Sequence, residues 1–356
     1  MKEGLTLEQM AAEITRQNQL KEDYLVDTRS IKLEPCDSQL FLHLEDNGIG
    51  TIEPLEVNQI AHRQIGTHLK IPAPYYDRLL TSYPELLAEN VNAWFNREPS
   101  KRMLRTMGGV ARAFLSNRYR RIDNFEIARV VLPIIREIQG ARFESCQITD
   151  SNMYLKVVNT RLEAEVVPGD IVQAGVIISN SEVGHGSVCI QPLVYRLVCS
   201  NGMVINDAQT RRNHVGRVNN SNENILLYSE KTLAAEDHAF ILKIQDTVKA
   251  AVEETRFSRV VGLMQTARQA KMNTEDVPGI IRLTSKEFHI TEDEGSGILQ
   301  HLIEENDLTL YGLSNAVTRH SQDVKSYDRA TELESIGYNI LSMPARQWNR
   351  LNQTAA

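Results

Sequence analysis

The hydrophobic period of this chain changes once, near residue 205, and that change limits the available folds more than any other feature. Before it, apolar residues fall into short runs of strand length. Leu40, Leu42 and Leu44 alternate, and the stretches 142–149, 153–160, 171–179 and 188–199 are strand-like. Asp150-Ser151-Asn152 links the first two of those stretches as a hairpin, and Asn201-Gly202 turns into Met203-Val204-Ile205. After the change, Leu233, Ile241, Ile244, Val248 and Val252 recur at helical spacing. A strand presents alternate side chains to each face and a helix presents a stripe, and each must be buried against another element. The order therefore predicts an α+β fold: a mixed, mainly antiparallel sheet with flanking helices, then a long helix and a helical C-terminal region. The expected segments are an α/β body over 1–205, a polar loop over 206–224 ending in NNSNEN, and a helical region over 225–356.

Finer signals fill in this outline. Thr6-Leu7-Glu8-Gln9 has the form of a capping box opening a helix. Strands are expected in YLVDTRSIKLEP and QLFLHLEDNGIGTIEP, with a turn at Asp46-Asn47-Gly48. A helix is expected over 55–69, and two more between Tyr75 and Phe95, split near Pro84. Lys101–Met107 and Val110–Ser116 are expected to pair around Gly108-Gly109, and Asn124 to cap a helix reaching about Gln139. The long helix is expected to run from about Ile225 to Met272. Val277-Pro278-Gly279 breaks it, and three or four helices follow.

Length and charge restrict function. With 356 residues and 42% hydrophobic content, the chain can bury a sizeable core without staples. Its formal net charge of -7 argues against nucleic-acid binding by bulk charge. The N-terminal stretch lacks an apolar signal core and no run suits a membrane span, so a cytoplasmic protein away from membranes is expected. The four cysteines form no C-x-x-C pair and are expected to be reduced.

Against the acidic whole stands one basic segment. Between Arg97 and Arg121 lie eight basic residues and a single acid, Glu98. As a hairpin, the segment sets Lys101, Met103, Arg105 and Met107 on one face and Arg102, Leu104 and Thr106 on the other, while Arg112 and Phe114 share a face. Arginines interleaved with aromatic groups suit phosphates and stacked bases. The candidate contacts are Arg102, Arg105, Arg112, Phe114, Arg118, Tyr119, Arg120 and Arg121. Arg118, Arg120 and Arg121 also precede the helix expected at Asn124, whose N-terminus attracts anions. A second wall comes from Arg211, Arg212 and Arg217, in a stretch with His214 and without acids between Asp207 and Glu223. The competing readings are that these arginines pair with the chain's own carboxylates or form a solvated face, or that they take a small anion.

Other chemistry finds little support. His185, Cys189, Cys199 and His214 match no common zinc spacing, and cysteines on strands are usually buried as small hydrophobes. Ser116 and Ser200 lie in no nucleophile elbow, and Gly184-His185-Gly186 is no phosphate loop. Histidines in AHRQIG and TRHSQD are expected to be surface or packing residues. No catalytic residue, metal or cofactor is expected, and nothing in these motifs requires catalysis.

Several phrases together, AHRQIGTHLKIPAPYYDRLL, LLAENVNAWF, RAFLSNRYRRIDNFEIA, RLVCSNGM and LYGLSNAVTRHSQDVKSYDRATELESIGYNIL, resemble the phage/plasmid-like proteins of the domain of unknown function 932 family. The resemblance spans roughly residues 20 to 350 and implies a mobile-element origin, with no accepted activity or catalytic residues. In layout alone, a strand-rich body followed by a long helix is similar to phage single-strand annealing proteins of the Red-beta and Rad families, which bind DNA as rings or filaments. The expected function is thus non-enzymatic binding of single-stranded DNA or RNA in support of recombination or annealing, by a homo-oligomer. An assembly factor whose arginines meet an acidic partner or the acidic C-terminal region is the first alternative, and an enzyme on a nucleotide or nucleic acid the second.

Overall fold

The period-two stretches gather into two six-stranded sheets, and the period-3.6 stretches pack on their faces. The computed structural model describes residues 1–36, 39–45, 53–119, 121–186, 188–206, 210–212, 230–251 and 253–353. The Asp46-Asn47-Gly48 turn, Arg120, His214, Arg217 and the NNSNEN tract lie outside the described residues.

The chain opens with α1 (Leu7–Leu20), whose capping box at Thr6 and Gln9 is formed. The first sheet follows: β1 (Lys21–Asp27), β2 (Ile31–Cys36), β3 (Gln39–Leu44) and β4 (Leu55–Val57), then β5 (Lys101–Met107) and β6 (Val110–Ser116). Its order is β1-β5-β6-β4-β3-β2, antiparallel except for the β4–β6 pair. Between β4 and β5 lie α2 (Gln59–His68), α3 (Ala73–Ser82) and α4 (Pro84–Arg97), and Pro84 separates the last two. Leu33, Leu42, Leu104 and Phe114 of the sheet bury against Ile65 of α2 and Leu87, Val91 and Phe95 of α4. The helix expected over 55–69 begins later. Leu55 and Val57 are buried strand residues, and the Asn58 side chain accepts from the Ala61 amide at 2.8 Å to start the helix there.

The second sheet is antiparallel throughout. It comprises β7 (Ala141–Ile148), β8 (Met153–Val167), β9 (Asp170–Asn180), β10 (Val188–Arg196), β11 (Asn201–Val204) and β12 (Thr210–Arg212), in the order β11-β10-β9-β8-β7, with β12 also on β10. Joining the sheets is α5 (Asn124–Glu137), capped by Asp123 rather than by Asn124. Asn124 is buried instead, its side-chain oxygen accepting from Asn180 at 2.8 Å. Alternate residues of β9 serve opposite faces. Val176 and Ile178 pack with Ile127, Val131 and Ile135 of α5, whereas Ile177 packs with Leu193, Tyr195 and Tyr327. Burial on both faces explains why β9 and β10 read as continuous apolar runs.

The single long helix expected after residue 225 is two helices, α6 (Glu230–Ala251) and α7 (Glu254–Gln269), because Glu253 is extended at φ -75° and ψ 135°. They serve different partners: Phe240, Ile244 and Val248 of α6 join the α5 core, while Val260, Val261 and Met264 of α7 pack beside Val172 and Val194. Val277-Pro278-Gly279 opens a helix as well as interrupting one. Asp276 accepts from the Gly279 amide at 2.8 Å, and proline suits the first turn. The remainder is α8 (Val277–Glu287), α9 (Glu292–Glu305), α10 (Leu310–His320), α11 (Tyr327–Leu341) and α12 (Ala345–Gln353), five helices where three or four were expected. Leu313, Val317, Leu333 and Ile340 share a core with Val172, Val194 and Met203 of the second sheet. Among the described residues no helix is long and apolar enough to cross a membrane.

Candidate functional site

The basic segment meets negative charge inside its own chain. A β-bulge opens between β5 and β6, so that Arg105 faces Ala113 and Thr106 faces Ala111, leaving Arg112 as the extra residue. A bulge re-aims a side chain relative to strict alternation. Arg112 therefore leaves the face of Phe114, on which simple alternation put it, and joins Arg105 on the side turned to the second sheet. Glu182, in the loop between β9 and β10, receives both. Its carboxylate accepts from Arg112 Nη2 at 2.7 Å and pairs with Lys21, while its backbone carbonyl accepts from Arg105 Nη1 at 2.9 Å. Arg105 also reaches Asp23 Oδ1 at 2.8 Å and Asp123 Oδ1 at 2.7 Å. The N-terminus of α5 is occupied from within as well: the Asn124 amide donates to Glu182 Oε1 at 2.6 Å.

The centre of this cluster is buried. Glu182 is 2% exposed and the Arg105 side chain 0%. Burial opposes ionisation of Glu182, but Lys21 and Arg112 outweigh it and hold the carboxyl below its ordinary value. Burial likewise opposes the Arg105 charge, and Asp123 and Asp23 more than restore it. Further hydrogen bonds clamp the same loop. Gln64 donates to the Val183 carbonyl at 2.6 Å and accepts from the Phe114 amide at 2.7 Å, and the Tyr119 hydroxyl donates to the Ser181 carbonyl at 3.2 Å. The first sheet, α2, α5 and the β9–β10 loop are thereby locked together.

The expectation that the whole segment faces a ligand is corrected on this ground. Arg105, Arg112 and Phe114 are buried. Phe114 stacks on Phe95 with centroids 5.7 Å apart and lies in the first core. Arg102 is half-buried with its guanidinium carbon 5.0 Å from the Phe114 ring centre, a cation–π contact within the protein. Tyr119 is half-buried behind its bond to Ser181, and burial pushes its phenol upward. Phe114 and Tyr119 thus offer no free stacking face and Arg105 and Arg112 no free charge, while Arg102 lies against the Phe114 ring and carbonyl without a carboxylate partner among the described residues. Arg118 is exposed and has no ion-pair partner among the described residues. Arg121 is also largely exposed and touches Asp23 at 3.2 Å by one nitrogen. Arg211 and Arg212 lie on β12, paired with Cys189 and Val188. That strand thus ends beside the loop of Ser181 to Gly186, whose Gly184 packs so closely on the basic segment that a Cβ there would come 2.7 Å from Leu115 and 3.8 Å from Tyr119. The two basic stretches, ninety-odd residues apart in sequence, flank one loop.

Sequence reading missed a second buried pair. Lys156 of β8 and Glu334 of α11 are both fully buried and 2.7 Å apart, with the ammonium 4.7 Å from the centre of the Tyr327 ring. Burial pushes the Lys156 ammonium down and Glu334 opposes this. The one signal available was a lysine interrupting the apolar run Met153-Tyr154-Leu155-Lys156-Val157-Val158. Cys189 lies near the start of β10, whereas Cys199, expected on the same strand, lies in the turn after Arg196. Cys189 lies against Gln191, and Cys199 donates to Glu305 at 3.2 Å, its thiol raised to about 11, first by burial. His62 in AHRQIG is a packing residue, 2.9 Å from the Tyr76 hydroxyl and lowered to about 4 by burial.

Fold and site together define a two-sheet α+β protein whose halves are clamped by a buried arginine–carboxylate knot, with a basic edge outside it. The chain belongs to the domain of unknown function 932 family, whose sequence profile matches residues 113–353, more than half of the chain. No curated protein and no solved structure matches it.

Proposed function

We propose that the protein binds single-stranded nucleic acid through its phosphates, along the two basic stretches that flank the Ser181–Gly186 loop. The observation that carries this reading is the convergence of the two basic stretches on the Ser181–Gly186 loop. Arg118, Arg121, Arg211 and Arg212 form the proposed contact set. Phe114 leaves it because it belongs to a core, and Arg105 and Arg112 because their charges are already neutralised by Asp23, Asp123 and Glu182. Stacking by aromatic groups is not part of the proposal. Binding is electrostatic and tolerant of sequence, which suits handling of a displaced or annealing strand by a mobile-element protein, acting as a homo-oligomer in the cytoplasm without chemistry of its own.

Fluorescence anisotropy with a labelled oligonucleotide tests this. Four phosphate contacts on a single strand give log Kd against log salt a slope of magnitude about 3. No binding to DNA or RNA strands at low salt would overturn the reading.

A further inference from the structure

We propose that the protein carries a divalent transition-metal site, best suited to Zn2+, at the C-terminal end of α10, built from His301, His320 and Asp323. The three residues come from two elements. His301 lies near the end of α9, His320 is the last residue of α10, and Asp323 follows three residues later. One ligand atom from each lies within 4.8 Å of the others. His301 Nε2 is 2.5 Å from Asp323 Oδ2, and His320 Nδ1 is 3.5 Å from the same oxygen. Two imidazole nitrogens and a carboxylate oxygen form a ligand set that zinc accepts at about 2.0–2.2 Å per bond, with the fourth position left to water. Tetrahedral ligands at that bond length stand roughly 3.3 Å apart. The Asp323–His320 separation is already close to this, and the His301–Asp323 contact must open by less than about 1 Å.

Four observations point to a cation at this place. His320 Nδ1 is buried and makes no hydrogen bond among the described residues, although it stands 3.5 Å from Asp323 Oδ2. An unsatisfied buried nitrogen is costly unless something accepts its lone pair. The second nitrogen of His301, Nδ1, is 3.4 Å from Glu304 Oε2. A carboxylate on that side can hold the proton on Nδ1, the arrangement that orients zinc-bound histidines, so that Nε2, now bonded to Asp323 Oδ2, can turn its lone pair to an ion placed between them. Arg319 stands 3.5 Å from Asp323 Oδ1, occupying one carboxylate oxygen and leaving Oδ2 to the site. Finally, the site caps α10, whose C-terminal dipole favours positive charge.

The backbone also makes room for the His320 ring. A Cβ at Gly297, one turn before His301 on α9, would come 2.5 Å from His320 Nδ1 and 2.3 Å from its Cε1. Only glycine lets the ring lie this close to α9 with Nδ1 3.5 Å from Asp323 Oδ2, so Gly297→Ala tests the geometry without removing a ligand.

The full chain, stripped with chelator and dialysed, is titrated with ZnCl2 by calorimetry and with CoCl2 by visible absorption. Expected are one ion per chain, a thermal midpoint that rises with Zn2+ and not with Mg2+, and tetrahedral d–d bands with Co2+. Uptake is lost in His320→Ala and Asp323→Ala. Affinity drops about 10- to 100-fold in Glu304→Gln, and by a comparable factor in Gly297→Ala. Failure of the unaltered chain to take up either ion stoichiometrically overturns the proposal. So does uptake that survives in Gly297→Ala and His320→Ala at unchanged affinity, which would place the ion elsewhere.

Discussion

Removing the charge of Glu182 should loosen the junction between the sheets more than any other single change in the basic region. Glutamine keeps the shape and one acceptor oxygen for the Asn124 amide, so Glu182→Gln isolates the charge. Two cations then remain at the knot without a carboxylate: Lys21, 7% exposed, and Arg112, 10% exposed. Breaking a buried pair by removing one partner costs about 3–5 kcal/mol, because the surviving charge stays desolvated. At about 2.1 cal/mol/K of unfolding entropy per residue, a chain of 356 residues melting in one step has roughly 0.7 kcal/mol/K. The expected fall in Tm is then about 4–7 °C. Replacing the two cations as well, as Lys21→Met and Arg112→Met with Glu182→Gln, should restore most of it, since no unpaired charge is then left buried and the glutamine oxygen still accepts from the Asn124 amide. The same link has a pH signature. The folded-state pKa of Glu182 is depressed below 4.5, so its contribution is fully present above that value and is lost as pH falls through the folded value. Calorimetric melting at pH 7 and on acidification measures both. A Glu182→Gln protein that melts with the parent at both pH values refutes the reasoning. It would mean that Lys21 and Arg112 find water when their carboxylate is removed.

Charge reversal at the exposed Arg118 (Arg118→Glu) should weaken oligonucleotide binding severalfold and lower the salt slope by about 1 in magnitude, with an unchanged melt; anisotropy at three salt concentrations checks it. Lys156→Met alone should destabilise by about 3–5 kcal/mol by stranding Glu334, and Lys156→Met with Glu334→Leu should recover most of that in a urea titration. Glu294 is held down at about 2 by hydrogen bonding to Arg329, so this pair's contribution should persist above pH 4.5 and fade as pH drops towards 2; the acid limb of unfolding should shift in Arg329→Gln. His62 stays neutral down to about 4 because it is buried, whereas the unfolded residue protonates near 6.5, so its penalty grows as pH falls between those values; an NMR titration showing His62 protonated at pH 6 would contradict its placement.

Local physics was legible in the chain itself. The α+β class, the hairpin of 101–107 and 110–116, the meander of the second sheet, the Thr6 capping box and the split at Pro84 all follow from side-chain period and from proline, glycine and cap chemistry acting over a few residues. The places where that reading failed share one cause. Leu55 and Val57 fit a helical stripe as well as a strand, and only the neighbouring β3 and β6 drew them into the first sheet. The 225–272 stretch carries helical spacing, but α6 and α7 pack on different parts of the second sheet, which no period encodes. The presence of a basic segment was readable; which arginines are free was not. Asp23, Asp123 and Glu182 are spread over 160 residues: Asp23 meets Arg105 across the β1–β5 pair, and Glu182 meets both arginines only when the sheets dock, with a one-residue bulge turning Arg112 towards it. Burial and ion pairing depend on distances between residues remote in sequence. The chain therefore announced its charges, and tertiary structure alone decided which of them had already been answered.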